Sequence, residues 1–463
     1  MVTTDLPFTV VIGLGRSGVG AARLLASSGE RVRLIESTRN EALERRAADL
    51  RRDGIEVNLD TPLEPEHFRW PTGHAVKVVV SPGIRWDHPT LVHLRQQGVA
   101  VIGEMEVAWE ALASVPWIGI TGTNGKTTVT HLVGHLLQVA GLDAPICGNV
   151  GVSAAELALQ RRSGHQNPPD WLVAELSSYQ IEAAPGIRPR IGLWTTLTPD
   201  HLERHGSLDN YRAIKRSLLE RSETALLNAD DADLASRAAS WDGAIWVTAR
   251  SKADLADGID PLLWVEGDRV HGETGPLMAA DCLAMPGAHN RQNMLMAVAV
   301  GLRLGLDPAT MEAAFRSFPG VPHRLERIRE LDGITYYNDS KATNFDAAEV
   351  AVKALAQPLV VLAGGEAKQG DPAGWIEELK RHARAVVLYG NAANRFDQLL
   401  SHHGYGGERQ ICPGLEEAVP SARQLAQRLE CGAVLLSPAC ASFDQYVDFE
   451  ARGDHFRRLV SGL

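Results

Sequence analysis

The chain is short of cysteine, has no excess of basic charge and contains no long apolar run. Its five cysteines, Cys147, Cys282, Cys412, Cys431 and Cys440, are scattered over 463 residues without a C-x-x-C spacing. Such a set builds neither a disulfide framework nor a zinc site, and it reads as free thiols in a reducing cytoplasm. Acidic residues outnumber basic ones, 57 to 46, for a net charge of −11. That excludes a broad nucleic-acid-binding surface, which needs a basic excess, but leaves room for a small cationic pocket. No apolar stretch approaches the roughly 20 residues that span a bilayer. The opening "MVTTDLPFTVVIGLG" lacks the basic start and apolar run of a signal peptide. Internal repeats and low-complexity tracts are absent as well.

What is present is a recurring alternation. A length of 463 residues suggests about three domains at roughly 150 residues each. Short Val- and Ile-rich runs alternate with helical patterns, which implies parallel sheets covered by helices. "FTVVIGLG", "RVRLIE" and "VKVVVSPG" form a first cluster. "WIGITG", "WLVAELSS", "IGLWTTLTPDH" and "TALLNADD" form a second, and "ITYYNDS", "LVVLAGG", "AVVLYG" and "AVLLSPA" a third. Boundaries fall near Gly103-Glu104 and near "SFPGVPHR", where prolines and a glycine interrupt a helical run. The expected architecture is α/β with domains at 1–103, 104–320 and 321–463. "RRSGHQNPPD" (161–170) reads as a surface loop, and about 240–280 as irregular.

The stretch "WIGITGTNGKTTVTHLV" (117–133) resembles a phosphate loop with a shortened frame. The usual pattern, G-x-x-x-x-G-K-[ST], has two glycines five positions apart. Here Ile120 stands five before Gly125, and Gly122 only three before. The loop joins an apolar strand to a helix N-terminus, where free N–H groups and the helix dipole favour phosphate. Gly122 and Gly125 let the backbone curl, Lys126 can neutralise terminal phosphates, and Thr127 can hold Mg²⁺. Glu175, ending the strand "WLVAE", stands where a metal-binding carboxylate is expected, the plain alternative being an edge-strand acid facing water. His201 follows another strand. Lys215, taken alone, is an exposed helix lysine.

Gly13, Gly15 and Gly18 fit G-x-G-x-x-G after a strand, with Glu36 ending the next. Alone, this indicates an NAD-dependent oxidoreductase, although a UDP-sugar pyrophosphate could use the same glycine turn. "NDSKATN" (338–344), "GGEAKQGD" (364–371) and "SPACASFDQY" (437–446) each follow a strand. Their lysines and hydroxyls suit an acidic substrate.

Taken together, "TGTNGKTT", "GNVG", "ELSSYQ", "NADD", "GAHNRQN", "PHR", "NDSKATN" and "LSPACASFDQY" resemble the Mur ligases over nearly the whole chain. "NDSKATN" and "SPACAS" are similar to the D-glutamate-adding branch. The resemblance implies Rossmann-like outer domains around a central P-loop domain with a mostly parallel sheet. It implies an ATP-dependent ligase that joins D-glutamate to UDP-N-acetylmuramoyl-L-alanine through an acyl phosphate, in cytoplasmic peptidoglycan precursor synthesis. A monomer with no nucleic-acid or membrane partner is expected, and because ligands contributed by three domains cannot enter a fully closed site, hinges are expected near 103 and 320. Other Mur ligases, folylpolyglutamate synthases, an NAD dehydrogenase and a non-catalytic nucleotide switch are the alternatives.

Carried over by residue, Gly122, Thr123, Asn124, Gly125, Lys126, Thr127 and Thr128 would cradle ATP. Asn290, Asn293, Arg324, Asp339 and Lys341 would join them, with His323 in the same "PHR" signature. Two Mg²⁺ sites would draw on Thr127, Glu175, His201 and a carbamylated Lys215. Thr343, Lys368, Ser442 and Phe449 would position D-glutamate. Arg16, Ser17, Ser37, Thr38, Gly83 and Asn149 would meet the UDP-sugar. Arg16 stands where the family often has an apolar residue, and a one-residue shift would put Arg39 in place of Thr38.

Overall fold

The computed structural model describes residues 6–70, 73–162, 167–285, 288–355, 357–367 and 370–463. The chain divides into two compact units, 1–318 and 319–463.

The first unit holds two sheets. In the six-stranded one, Glu56–Asn58, Val32–Ile35, Leu6–Ile12 and Gly73–Val80 lie side by side in that order, all parallel. The short strands Arg69–Trp70 (antiparallel) and Ala100–Gly103 (parallel) both pair with Gly73–Val80. The loops bearing Gly13, Glu36 and Ser81 therefore leave neighbouring strands at one edge. The nine-stranded sheet runs Ile146–Gly148, Leu172–Glu175, Trp117–Thr121, Ile191–Trp194, Thr224–Asn228, Ile245–Val247 and Pro261–Glu266 in parallel. Two antiparallel strands, Arg269–Gly272 and Gly275–Ala279, then extend it. The stretch expected to be irregular thus contains a meander. Of the expected 161–170 loop, 161 and 162 end the helix Ala154–Arg162, and 163–166 lie outside the described residues.

One hydrophobic core runs from the first sheet into the second, including Val11, Leu34, Met105, Trp117, Leu172 and Trp194. Gly20 is what brings the helix Arg16–Ser27 close to the helix Ala154–Arg162. A Cβ on Gly20 would stand 3.0 Å from Ser153 Oγ and 3.3 Å from Ala155 Cβ.

The second unit is one six-stranded sheet in the order Glu326–Leu331, Ile334–Asn338, Ala433–Leu436, Leu359–Gly364, Ala383–Tyr389 and Glu408–Cys412. Only the first strand is antiparallel. Its two faces are covered by separate apolar clusters. The late strand Ala433–Leu436 inserts between two earlier ones, so loops from distant sequence, after Asn338, Gly364 and Leu436, leave adjacent strands. Such carboxyl ends are where open α/β sheets bind ligands.

Candidate active site

In the first unit the chemistry gathers where Trp117–Thr121 passes into the helix Lys126–Val139. Gly125 caps that helix at φ +82°, and Gly122 takes φ +150°. A Cβ on Gly122 would overlap Thr195 Oγ1, and one on Gly125 would press on Asn293 Oδ1 at 2.6 Å. Both glycines are therefore required by conformation and by space. The loop is also pinned to the exit of the next strand. Thr123 N donates to Thr196 O at 2.8 Å, Asn124 N to Thr196 Oγ1 at 2.9 Å, and Thr195 Oγ1 to Asn124 O at 2.5 Å. Lys126 folds over its own loop, its Nζ donating to Gly122 O at 2.9 Å and Thr123 O at 2.8 Å. Thr127 and Thr128 follow in the first turn. Asn290 and Asn293 are buried on the helix Ala288–Arg303, one turn apart.

Glu175 is not an edge-strand acid. Its strand lies inside the sheet, and the residue is 1% exposed. Asn149 Nδ2 donates to its Oε1 at 2.8 Å, whereas buried Oε2 has no hydrogen-bond partner among the described residues. A buried carboxylate with an unused oxygen is costly unless a cation meets it.

Lys215 overturns the reading of an exposed lysine. It is 1% exposed, on the buried face of the helix Leu208–Glu220 with Tyr211, Leu218 and Leu219. Its Nζ donates to Gly122 O at 2.8 Å and Thr121 Oγ1 at 3.3 Å, and lies 4.6 Å from the centre of the Tyr211 ring. Burial first, then the nearby Lys126 ammonium, push the Lys215 pKa well below its ordinary value, against the pull of Asp200 and Glu175. A neutral amine is the form that such an environment favours.

His201 sits at φ +52°, a left-handed setting unusual for a side-chain-bearing residue, ahead of the short helix Leu202–His205. It is half-exposed, 5.3 Å ring to ring from Tyr179 and 3.5 Å from Asp200. Thr195, Tyr211 and buried His205 are neighbours that sequence reasoning missed. Tyr211 was within reach of it, because it precedes Lys215 by one helical turn.

At the first sheet's edge, Gly13 has φ +98°, and a Cβ there would lie 2.9 Å from Ser81 Oγ. Glu36 Oε2 accepts from Leu14 N at 3.0 Å, and its Oε1 accepts from Thr38 N at 3.2 Å and Thr38 Oγ1 at 3.1 Å. Burial raises its pKa, but these bonds and that from Ser37 together hold it below the ordinary value. The acid thus braces the glycine turn. Arg16, Ser37, Thr38 and Gly83 are exposed on this edge, and Ser17 is half-buried. Asn149 lies beyond the strand Ile146–Gly148 of the second sheet, against Glu175.

In the second unit, Asp339 is buried and accepts from Leu325 N at 3.2 Å and Ser437 Oγ at 3.0 Å. Burial pushes its pKa up to about 7, against those two bonds and the Arg324 charge. Arg324 itself is exposed, between His323 at φ +60° and Leu325 at φ +45°. Lys341 Nζ lies 5.8 Å from the Phe449 ring centre, and Lys341 N donates to His323 O at 3.0 Å. Thr343 is half-buried and Ser442 buried, on loops that leave neighbouring strands. Lys368 lies outside the described residues.

Three family models cover most of the chain. They are the Mur ligase MurD-like N-terminal domain over 8–103, the Mur ligase middle domain over 120–301 and the Mur ligase glutamate ligase domain over 323–440. A UDP-N-acetylmuramoylalanine–D-glutamate ligase of Parasynechococcus marenigrum (strain WH8102) is 57% identical over 98% of both chains. The chain belongs to the Mur ligase family.

The same ligase from Synechococcus sp. (strain CC9605) is 56% identical over 98% of both chains. That of Synechocystis sp. (strain ATCC 27184 / PCC 6803 / Kazusa) is 45% identical over 99% of this chain and all of its own. Among solved Mur ligase structures, the UDP-N-acetylmuramate-alanine ligase of Thermotoga maritima aligns over 98% of this chain and 100% of its own. It does so with a TM-score of 0.56 at 20% identity, a likeness of fold. Among the described residues, no helix is long and apolar enough to cross a membrane.

Proposed function

We propose that this Mur ligase uses ATP to join D-glutamate to UDP-N-acetylmuramoyl-L-alanine, in the cytoplasmic synthesis of peptidoglycan precursors. The observation that carries the reading is the 57% identity, over 98% of both chains, with a ligase of that name. The glycine turn at 13–18 then serves the UDP-sugar rather than NAD, because 8–103 matches a Mur ligase N-terminal domain.

The chemical difficulty is that a carboxylate is a poor electrophile. A carboxylate oxygen of the alanyl group attacks the γ-phosphorus of ATP, and the bond to the ADP oxygen breaks. The resulting acyl phosphate is attacked by the D-glutamate amine, which loses a proton as phosphate leaves. Lys126 is assigned to the γ-phosphate. Gly122, Gly125 and the N–H groups of the helix start seat the phosphates. Asn290, Asn293, Arg324, Asp339 and Lys341 are assigned to the nucleotide. Thr343, Lys368, Ser442 and Phe449 are assigned to D-glutamate. Arg16, Ser17, Ser37, Thr38, Gly83 and Asn149 are assigned to the UDP-sugar.

The donor set fits Mg²⁺. Glu175 offers a buried oxygen without a partner, and hard oxygens suit this ion. Thr127 and Glu175 would hold one ion, and His201 and a carbamylated Lys215 a second, alongside Glu175. Bound Mg²⁺ would offset the charge that collects on the phosphoryl oxygens. Lys215 fits only as an anion. Its pKa is depressed by burial, and a neutral amine can add to CO₂, forming an N–C bond and releasing one proton to give a carbamate.

Phosphate release tests the reading. It should require ATP, Mg²⁺, UDP-N-acetylmuramoyl-L-alanine and D-glutamate together, with L-glutamate inactive. Equal rates with meso-diaminopimelate or glycine would refute the acceptor.

A further inference from the structure

Arg452, on the helix Phe449–Ser461, is a fully buried arginine, 0% exposed. Charges this deep are almost always paired with an opposite charge. Among the described residues, the acceptors that its guanidinium meets are a hydroxyl and three backbone carbonyls, with no carboxylate. Its Nε donates to Ser340 Oγ at 2.9 Å. Its Nη2 donates to Ser340 O at 2.9 Å and Cys440 O at 3.0 Å, and Nη1 donates to Ala441 O at 3.1 Å. Ser340 Oγ in turn donates to Phe449 O at 2.8 Å, closing the circuit onto the first residue of the same helix.

These acceptors lie on two loops about 100 positions apart in sequence. One carries Asp339, Lys341 and Thr343, and the other Ser442. A third loop is fastened to the second. Glu366 and Ala441 exchange backbone bonds of 2.9 and 3.0 Å, and a Cβ on Gly365 would stand 3.1 Å from Arg452 Nη1. Ala439, at φ +54°, holds a setting that costs energy without glycine. The surroundings must enforce it, and a planar guanidinium with fixed donor directions can.

We propose that Arg452 is the positioning residue of the amino-acid acceptor site. Its guanidinium fixes the distance between the loop of Thr343 and the loop of Ser442, and it places a buried positive charge behind both. A dicarboxylate acceptor would benefit from both effects. The proposal rests on the D-glutamate reading above.

The test is steady-state kinetics of the full chain, starting with the unsubstituted protein. Arg452→Lys keeps the charge but cannot reach four acceptors. It should raise KM for D-glutamate by roughly 10-fold or more, since several charge-assisted bonds are lost. KM for the UDP-linked substrate should stay within about twofold, as the change spares uniform binding elsewhere. Arg452→Ala should recover D-glutamate affinity when guanidinium is added at sub-denaturing concentration, a response that a merely structural role would not give. An unchanged KM for D-glutamate in Arg452→Lys, or an equal rise for all substrates, overturns the proposal. Absence of guanidinium rescue in folded Arg452→Ala also overturns it. If neither variant folds, Ser340→Ala, which deletes one acceptor, decides by the same KM criterion. An unsubstituted protein that does not turn over D-glutamate overturns the function as well; one that does, beside an unaltered Arg452→Lys enzyme, overturns this inference alone.

Discussion

Asn149 holds Glu175 twice: Nδ2 donates to Oε1 at 2.8 Å, and its backbone N–H donates to the carbonyl of the same glutamate at 2.9 Å. One side-chain oxygen is thereby fixed while the other stays available. Asn149→Ala should lower kcat about 10–100-fold and raise the Mg²⁺ concentration for half-maximal rate, as losses of such supporting bonds do. Titration of activity with MgCl₂ checks this. An unchanged Mg²⁺ requirement would remove Asn149 from the support of the metal site.

Lys215 trades stability for chemistry. Keeping a buried lysine in its neutral form costs stability, because its unfolded counterpart is protonated and solvated. Lys215→Met should therefore raise Tm while abolishing phosphate release. The pH dependence has a definite sign. The folded pKa lies below the ordinary 10.5, so the unfolded chain binds the extra proton and the parent gains stability as pH rises toward that value. Lys215→Met should flatten this rise, as unfolding curves at several pH values would reveal. Separately, Lys215→Ala should regain part of its activity with short-chain carboxylates, which can supply the missing anion.

Two loop glycines should respond unequally to the same substitution. Gly122→Ala meets both φ +150° and Thr195 Oγ1, and should cost about 1–3 kcal/mol from backbone strain alone. Gly15 has φ −77° and no neighbour within 4 Å of an added Cβ. Gly15→Ala should leave stability within about 0.5 kcal/mol. Thermal melts of the two variants make the comparison, and a similar loss in both would contradict it.

Asp339 should make the second unit sensitive to pH. Burial raises its pKa from 3.8 to about 7, so the folded state binds the proton more tightly than the unfolded one. Its contribution is fully present below the unfolded pKa and is lost as pH rises toward the folded value. Asp339→Asn keeps the shape without the charge. Its stability relative to the parent should increase from pH 4 toward pH 8, by an amount on the order of a few kcal/mol. Urea unfolding of the ligand-free protein measures it, and a pH-independent difference would refute the shift.

The inner strands of the sheets were legible in sequence because they are short apolar runs closed by glycine or a polar turn, whereas parallel edge strands such as Glu56–Asn58 and Glu408–Cys412 are mostly polar and carry no such mark. The meander at 261–279 was missed although its turns are marked. Glu266 pairs with Arg269 across Gly267-Asp268, and Gly272 with Gly275 across two residues, a spacing that signals a hairpin. Lys215 could also have been placed. Tyr211, Lys215, Leu218 and Leu219 share one buried face at helical spacing, but a lysine among them was discounted as polar. Thr195 carries no such mark. Its closeness to Gly122 follows only from the parallel pairing of Thr121 with Trp194, which no local pattern encodes. The burial of Arg452 is hidden for the same reason, since its acceptors come from loops far away in sequence.

The bonds of Lys126 to Gly122 O and Thr123 O mean that its ammonium is not waiting bare for a ligand. An arriving anion gains only the difference between its own attraction and that of two carbonyl dipoles. Small anions such as bicarbonate or a lone sulfate, which engage few donors at once, have little to offer in that exchange. A polyphosphate tail that engages several loop N–H groups at once can displace both carbonyls, so the seat discriminates by the number of phosphoryl groups before any base or sugar is inspected.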